Sequence, residues 1–226
     1  MLKGTRAVEI RQLEPPIYLV STLETASRAK NKVLKEGLVI HAYGSNKEEI
    51  LGLAVGLVLR QDLKLLVFDL PGHGRNENLL TLANCLQSLK RAKALLNKPT
   101  FFVGHSLGGY LGLMAGLPLG VLISAPGKAI FESSRQDLLR TLRTKRVHES
   151  TPYAGLNEIL ATKVKPVSNM LLLRAENELK SVVDSMANWE SLGFETKKVS
   201  GSNHLDIVSS HVAAEVISLW LKENLS

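Results

Sequence analysis

From residue 38 to the end of the chain, short apolar runs alternate with longer stretches whose apolar positions recur at helical spacing. The runs at 38–41, 63–69, 99–103, 120–124 and 170–173 are rich in Leu, Val, Ile and Phe, and they predict strands covered on both faces. A further short strand is expected at 196–199. Helices are predicted over 46–59, 79–96, 107–117, 182–192 and 205–221. Ser45 with Glu48, or Asn46 with Glu49, is spaced to form a capping box at the first of these. Val212, Val216, Leu219 and Trp220 are the expected core stripe of the last. Ahead of this region, 7–11 and 17–20 read as strands separated by Pro15-Pro16, a hairpin suited to a sheet edge where proline is tolerated. A charged loop, 24–36, follows. The alternation breaks over 130–165, a polar and basic segment with helical spacing around Leu138, Leu139 and Leu142. The pattern predicts one α/β domain over 1–226: a mostly parallel central sheet, helices on both faces, and a small cap insertion at 130–165.

Composition changes this picture little. Apolar residues make up 45% of the 226, the ordinary share for a chain with a real core. No apolar run approaches the roughly 20 residues a membrane-spanning helix needs, and the first residues lack the apolar segment of a secretory signal. Cys85 is the only cysteine, which excludes an internal disulfide and fits a reducing compartment, so a cytoplasmic location is expected. It falls within a helical pattern and is expected to be a small core residue, as Trp189 and Trp220 are expected to pack. The net charge of +7 raises the question of nucleic acid, but the basic residues are dispersed and not interleaved with aromatics, so none is expected. The densest basic group, Arg135, Arg140, Arg143, Lys145 and Arg146, lies in the insertion.

In a parallel sheet, ligands bind beyond the carboxyl ends of the strands. That rim holds Gly104-His105-Ser106-Leu107-Gly108, a G-x-S-x-G between a predicted strand and a predicted helix. Serine needs a base to accept its proton, and the base needs an acid to orient it. His204, between the last strand and the last helix, is the candidate base. Two carboxylates, Glu176 and Glu178, follow the strand at 170–173; the spacing from Ala175 favours Glu178. An oxyanion would be held by the backbone N–H of Leu107 and a second from the 41–44 loop, assigned to Tyr43. His41 reads as a structural histidine that hydrogen-bonds its own loop. Asp69-Leu70-Pro71-Gly72-His73-Gly74 reads as a rigid turn, because the spacing of His41, Asp69, His73 and His105 matches no standard metal-ligand pattern.

Four ordered signatures, His41-Ala42-Tyr43-Gly44, Asp69 to Gly74, Gly104 to Gly109, and the Glu178 and His204 loops, resemble the α/β-hydrolase fold superfamily over 38–221. The closest likeness is to small carboxylesterases and monoacylglycerol-lipase-like hydrolases. Two positions depart from the usual pattern: Ala42 stands where glycine follows the histidine, and Glu178 stands where aspartate is usual. The resemblance implies Ser106 as nucleophile, His204 as general base, Glu178 as acid, no metal or organic cofactor, and hydrolysis of a small ester or thioester through an acyl-enzyme. The same fold also hosts C–C hydrolases, lyases, peptidases and non-catalytic binding proteins. The basic insertion suggests an anionic substrate held by Arg140, Arg143 or Arg146; the plainer alternative is a solvated helix face. A monomer or homodimer is expected.

Overall fold

The apolar runs pair into one eight-stranded sheet in the computed structural model, which describes residues 7–14, 16–22, 34–126 and 146–225. In chain order the elements are β1 (Val8–Glu14), β2 (Ile17–Thr22), β3 (Lys35–Ile40), α1 (Lys47–Arg60), β4 (Leu63–Phe68), α2 (Leu82–Ala94), β5 (Pro99–His105), α3 (Leu107–Met114), β6 (Leu119–Ile123), α4 (Ala154–Ala161), β7 (Asn169–Asn177), α5 (Lys180–Glu190), β8 (Glu195–Asn203) and α6 (His211–Asn224), with a 3-10 turn at Ile207–Ser209 before the last. The strand order is β1-β2-β4-β3-β5-β6-β7-β8. The hairpin β1–β2 is antiparallel and joins the sheet antiparallel to β4; every other pairing is parallel.

Strand alternation sorts the core into two layers. Leu38, Ile40, Leu66, Phe68, Phe102, Leu122 and Leu172 face α2 to α5. Val39, Leu65, Val67, Val103, Val121, Leu171 and Leu173 face α1 and α6. Cys85, Trp189 and Trp220 are all buried in these layers. The sheet is therefore mostly parallel and covered by helices on both faces.

Several boundaries differ from expectation. β7 and β8 run on through 174–177 and 200–203, with Arg174 opposite Lys198 and Asn177 opposite Asn203; β8 is the sheet edge, so its polar residues stay solvated while the backbone pairs. α3 stops at Met114, and Gly116 follows in the left-handed region at φ +67°. α2 begins only after Thr81, whose hydroxyl accepts from the Asn84 N–H. At α1 the cap is Asn46, accepting from the Glu49 N–H at 3.0 Å. The stripe of α6 is also shifted. Val212 and Leu219 are 37% and 56% exposed, and the buried face is Ala213, Ala214, Ile217, Ser218, Trp220 and Leu221. Small side chains hold this face because α6 lies close on α1: a Cβ at Gly56 would sit 3.3 Å from that of Ala214. Of the 130–165 segment, α4 is helical, and Leu138, Leu139 and Leu142 lie outside the described residues.

Candidate active site

Ser106 stands between β5 and α3 with φ +50° and ψ −116°. A non-glycine residue is held there only when its surroundings force it, and such strain collects at functional sites. The flanking glycines show what forces it. A Cβ on Gly104 would lie 2.4 Å from the Gly108 carbonyl oxygen, and one on Gly108 would lie 2.3 Å from that of Ile40. Only bare backbone lets α3 start this close to β5 and β3. The Ser106 N–H donates to the Ile123 carbonyl at 2.8 Å, and its own carbonyl accepts from Gly109 and Tyr110.

His204 follows β8, and its Nδ1 donates to Glu178 Oε1 at 2.6 Å. Both side chains are almost fully enclosed, at 5% and 1% exposure. The Leu179 N–H donates to the same Glu178 oxygen at 2.9 Å. Burial alone would raise the Glu178 carboxyl pKa. The hydrogen bond and charge of His204, with smaller help from the Ser124 hydroxyl and the Leu179 N–H, outweigh it and hold the group ionised below its ordinary range. Ser124 lies near enough to act on this charge, yet its Oγ and Glu178 Oε2 form no well-aligned hydrogen bond among the described residues. Ser124 is itself strained, at φ +46°. Glu176 goes elsewhere: it is exposed, accepts the Gly201 N–H at 2.8 Å and pairs with Lys198. The fold thus brings Glu178, not Glu176, to His204.

His105 ties the histidine loop to the elbow. Its Nε2 lies 2.8 Å from the His204 carbonyl oxygen; a carbonyl only accepts, so Nε2 carries the proton. Burial, and then the neighbouring His204, push the His105 pKa down to about 3.

The 41–44 loop faces the elbow from the end of β3. His41 is fully buried, with Nδ1 donating to the Ala42 carbonyl at 2.7 Å and Nε2 accepting the Leu70 N–H at 2.9 Å. Burial keeps its pKa well below the ordinary value. It is a neutral strut between two loops. The Asp69 carboxylate is a second strut: its oxygens accept the N–H of Lys47 at 2.8 Å, the Lys47 ammonium at 2.8 Å and the Arg75 N–H at 3.0 Å. Gly74 has to be bare, since a Cβ would lie 2.4 Å from that carboxylate. Leu107 opens α3, so its N–H has no partner within the helix.

The sequence profile described as the alpha/beta hydrolase family matches residues 38–195, which include Ser106 and Glu178. The chain belongs to that family. No curated protein matches it in sequence. Among solved structures it is similar to carboxyl esterase 2 of the mycorrhizal fungus Tuber melanosporum, at 17% identity over 100% of this chain and 90% of the other, with a TM-score of 0.65. It is also similar to the thioesterase domain from the curacin biosynthetic pathway (16% identity, 94% of this chain and 99% of that one, TM-score 0.60). A third is MenH from S. aureus (15%, 87% and 97%, TM-score 0.60). At these identities the likeness is one of fold.

Two clefts flank Tyr43 in this alpha/beta hydrolase. One, of about 470 Å³, is lined by Ala42, Tyr43, His105, Asn203, Leu205 and Val208 among others. The other, of about 360 Å³, is lined by Tyr43, Arg146, Glu149, Pro152 and Tyr153 among others. Arg146 is exposed; Arg140 and Arg143 lie outside the described residues. Among the described residues no three His, Cys, Asp or Glu side chains converge to hold a metal ion, and no helix is long and apolar enough to cross a membrane. Ser124, Glu149 and the His105 link carry no sequence motif; each is defined by a partner distant in the chain.

Proposed function

We propose that this hydrolase cleaves a small carboxylic ester or thioester through an acyl-enzyme on Ser106. The observation that carries the reading is the His204–Glu178 hydrogen bond at 2.6 Å on the rim where the strained serine elbow ends β5. With the proton of neutral His204 on Nδ1, Nε2 is the basic nitrogen, available to take the Ser106 proton as Oγ attacks the carbonyl. Glu178 stays ionised and stabilises the imidazolium that forms. The tetrahedral oxyanion is held by the N–H groups of Leu107 and Tyr43, the first aided by the positive end of α3. Collapse expels the alcohol or thiol, which takes its proton from His204. Water activated by the same nitrogen then releases the acid. No step calls for a metal or organic cofactor. The fungal neighbour named an esterase and the neighbour named a thioesterase domain support this substrate class.

Arg146 shares its cleft with Glu149, so that wall carries both signs and we assign it no selectivity for anions. Short neutral and carboxylated p-nitrophenyl esters should turn over with similar kcat/KM, and Ser106→Ala should abolish both activities together with labelling by a fluorophosphonate. Retained turnover in that variant would remove the assignment. A strong preference for the carboxylated ester that disappears with added salt would return a binding role to the arginines.

A further inference from the structure

We infer that Glu149 is a positioning residue for the oxyanion loop: it grips the Tyr43 side chain and so fixes the peptide whose N–H faces the reacting carbonyl. The inference rests on the serine-hydrolase reading above.

Tyr43 is 95% buried, and its hydroxyl donates to Glu149 Oε1. The same oxygen accepts the Tyr153 N–H at 3.2 Å, and Oε2 accepts the Gly155 N–H at 2.8 Å. One carboxylate therefore joins the oxyanion loop to the start of α4. Its own anchorage is firm on both sides. His148 is fixed to the 72–80 loop by two backbone hydrogen bonds, to Gly72 at 3.0 Å and from Leu80 at 2.8 Å. Gly155 packs so closely that a Cβ there would lie 2.1 Å from the Leu80 carbonyl oxygen. Tyr153, at φ +65°, is held in a strained conformation and brings its ring to 6.1 Å from that of Tyr43. The rings of Tyr43 and His73 stand nearly perpendicular with centroids 5.7 Å apart, and the His73 ring lies 5.1 Å from that of His41.

The loop is held from two sides. Between His41, fixed by its two hydrogen bonds, and Ser45, whose N–H turns back to the Ala42 carbonyl at 3.2 Å, the chain passes through Gly44 at φ +68°. The Ala42–Tyr43 peptide is thus held at its carbonyl by His41 Nδ1 at 2.7 Å and the Ser45 N–H, and on its Tyr43 side by the ring that Glu149 grips. Burial, and next the bond to Glu149, keep the phenol pKa above its ordinary value, so the hydroxyl remains a donor at every working pH. Displacing a donor from a pre-set oxyanion site slows the chemical step and leaves ground-state binding nearly untouched.

Tyr43→Phe is the decisive variant, because it removes the hydroxyl while Glu149 keeps both backbone bonds to the α4 start. Its kcat on p-nitrophenyl acetate should fall roughly 10- to 100-fold with KM changed less than about threefold, as a misplaced group far from the bond-making atoms can do. Fluorophosphonate labelling should slow in proportion, and the melting temperature should barely move. Glu149→Ala should lose at least as much kcat, Glu149→Gln, which retains an acceptor oxygen, should recover much of it, and the double variant Tyr43→Phe/Glu149→Ala should be no slower than Glu149→Ala alone. Should Glu149→Ala fail to fold, Tyr43→Phe still decides. Wild-type kcat and labelling rate in Tyr43→Phe would overturn the inference while leaving Ser106 chemistry intact. A wild-type protein that neither turns over the ester nor takes the label would remove the hydrolase reading, and this inference with it.

Discussion

His105 donates to the His204 carbonyl from inside the fold, and its pKa of about 3 compares with an ordinary 6.5. Between those two values the unfolded chain binds a proton at this position and the folded chain does not. Acid therefore favours the unfolded state, and the stability contribution of neutral His105 is lost progressively as pH falls from 6.5 towards 3. His41 and His73, lowered chiefly by burial, act in the same direction. His105→Gln retains an amide N–H for the His204 carbonyl and removes the titration. Urea unfolding at stepped pH should show a shallower acid loss in this variant; an unchanged slope would mean that His105 is not the neutral, buried donor described here. This position also marks the limit of motif reading. Ser106, Glu178 and His204 can be proposed from the sequence because the flanking glycines, chain order and loop position single them out. The residue before the serine of an elbow motif is free to vary, and only the fold reveals that its partner lies 99 positions away. Glu149 was invisible for the same reason, being 106 positions from Tyr43.

At the scale of elements, α6 shows where hydropathy misleads. Large apolar side chains at 212, 216, 219 and 220 predict one face; Trp220 is buried and Val216 packs on the core, yet Val212 and Leu219 are exposed and Ala213, Ala214 and Ile217 complete the packed face. Two helices approach closely only where side chains are small, so a close contact such as Gly56 against Ala214 is written in residues that score weakly as hydrophobic. Overfilling such a seam forces backbone shifts. Ala214→Leu should cost about 1–3 kcal/mol, whereas Leu219→Ala, at a position 56% exposed, should stay within about 0.5 kcal/mol. Chemical denaturation of the two variants checks both; a larger loss from Leu219→Ala would restore the face that hydropathy suggested. The strand ends of β7 and β8 erred in the opposite sense. Arg174, Glu176 and Asn177 continue β7 beyond its last pair with β6 while Ala175 turns into the core, and 200–203 continue the edge strand β8; pairing is a backbone property, and polar side chains facing solvent there carry no penalty.

The whole molecule joins parts that the sequence separates. Repeated strand–helix alternation made the parallel sheet and its two helical layers legible, but not the strand order. Placing β4 between β2 and β3 is a matter of crossovers, and local residues do not encode it. What fastens this arrangement at the rim that holds Ser106 is the enclosed pair Lys47–Asp69, 1% and 0% exposed. Lysine in the first turn of a helix opposes the helix dipole, so sequence rules would place it in solvent. Here burial pushes its pKa down, and the bonds to Asp69 and Glu48 more than offset this, so it stays charged. Its ammonium also lies 4.9 Å over the Tyr18 ring. One cation thus connects the hairpin, the start of α1 and the end of β4, while Asp69 carries the 70–75 turn. Lys47→Met would leave the Asp69 carboxylate buried with backbone N–H donors alone, and loss of one member of a buried pair costs roughly 3–5 kcal/mol. Because the same aspartate end anchors His41 through Leu70, ester turnover should fall in the folded fraction as well. Unfolding curves and active-site titration of Lys47→Met should show both losses, and a fully active variant of wild-type stability would mean that the pair does not hold the rim together.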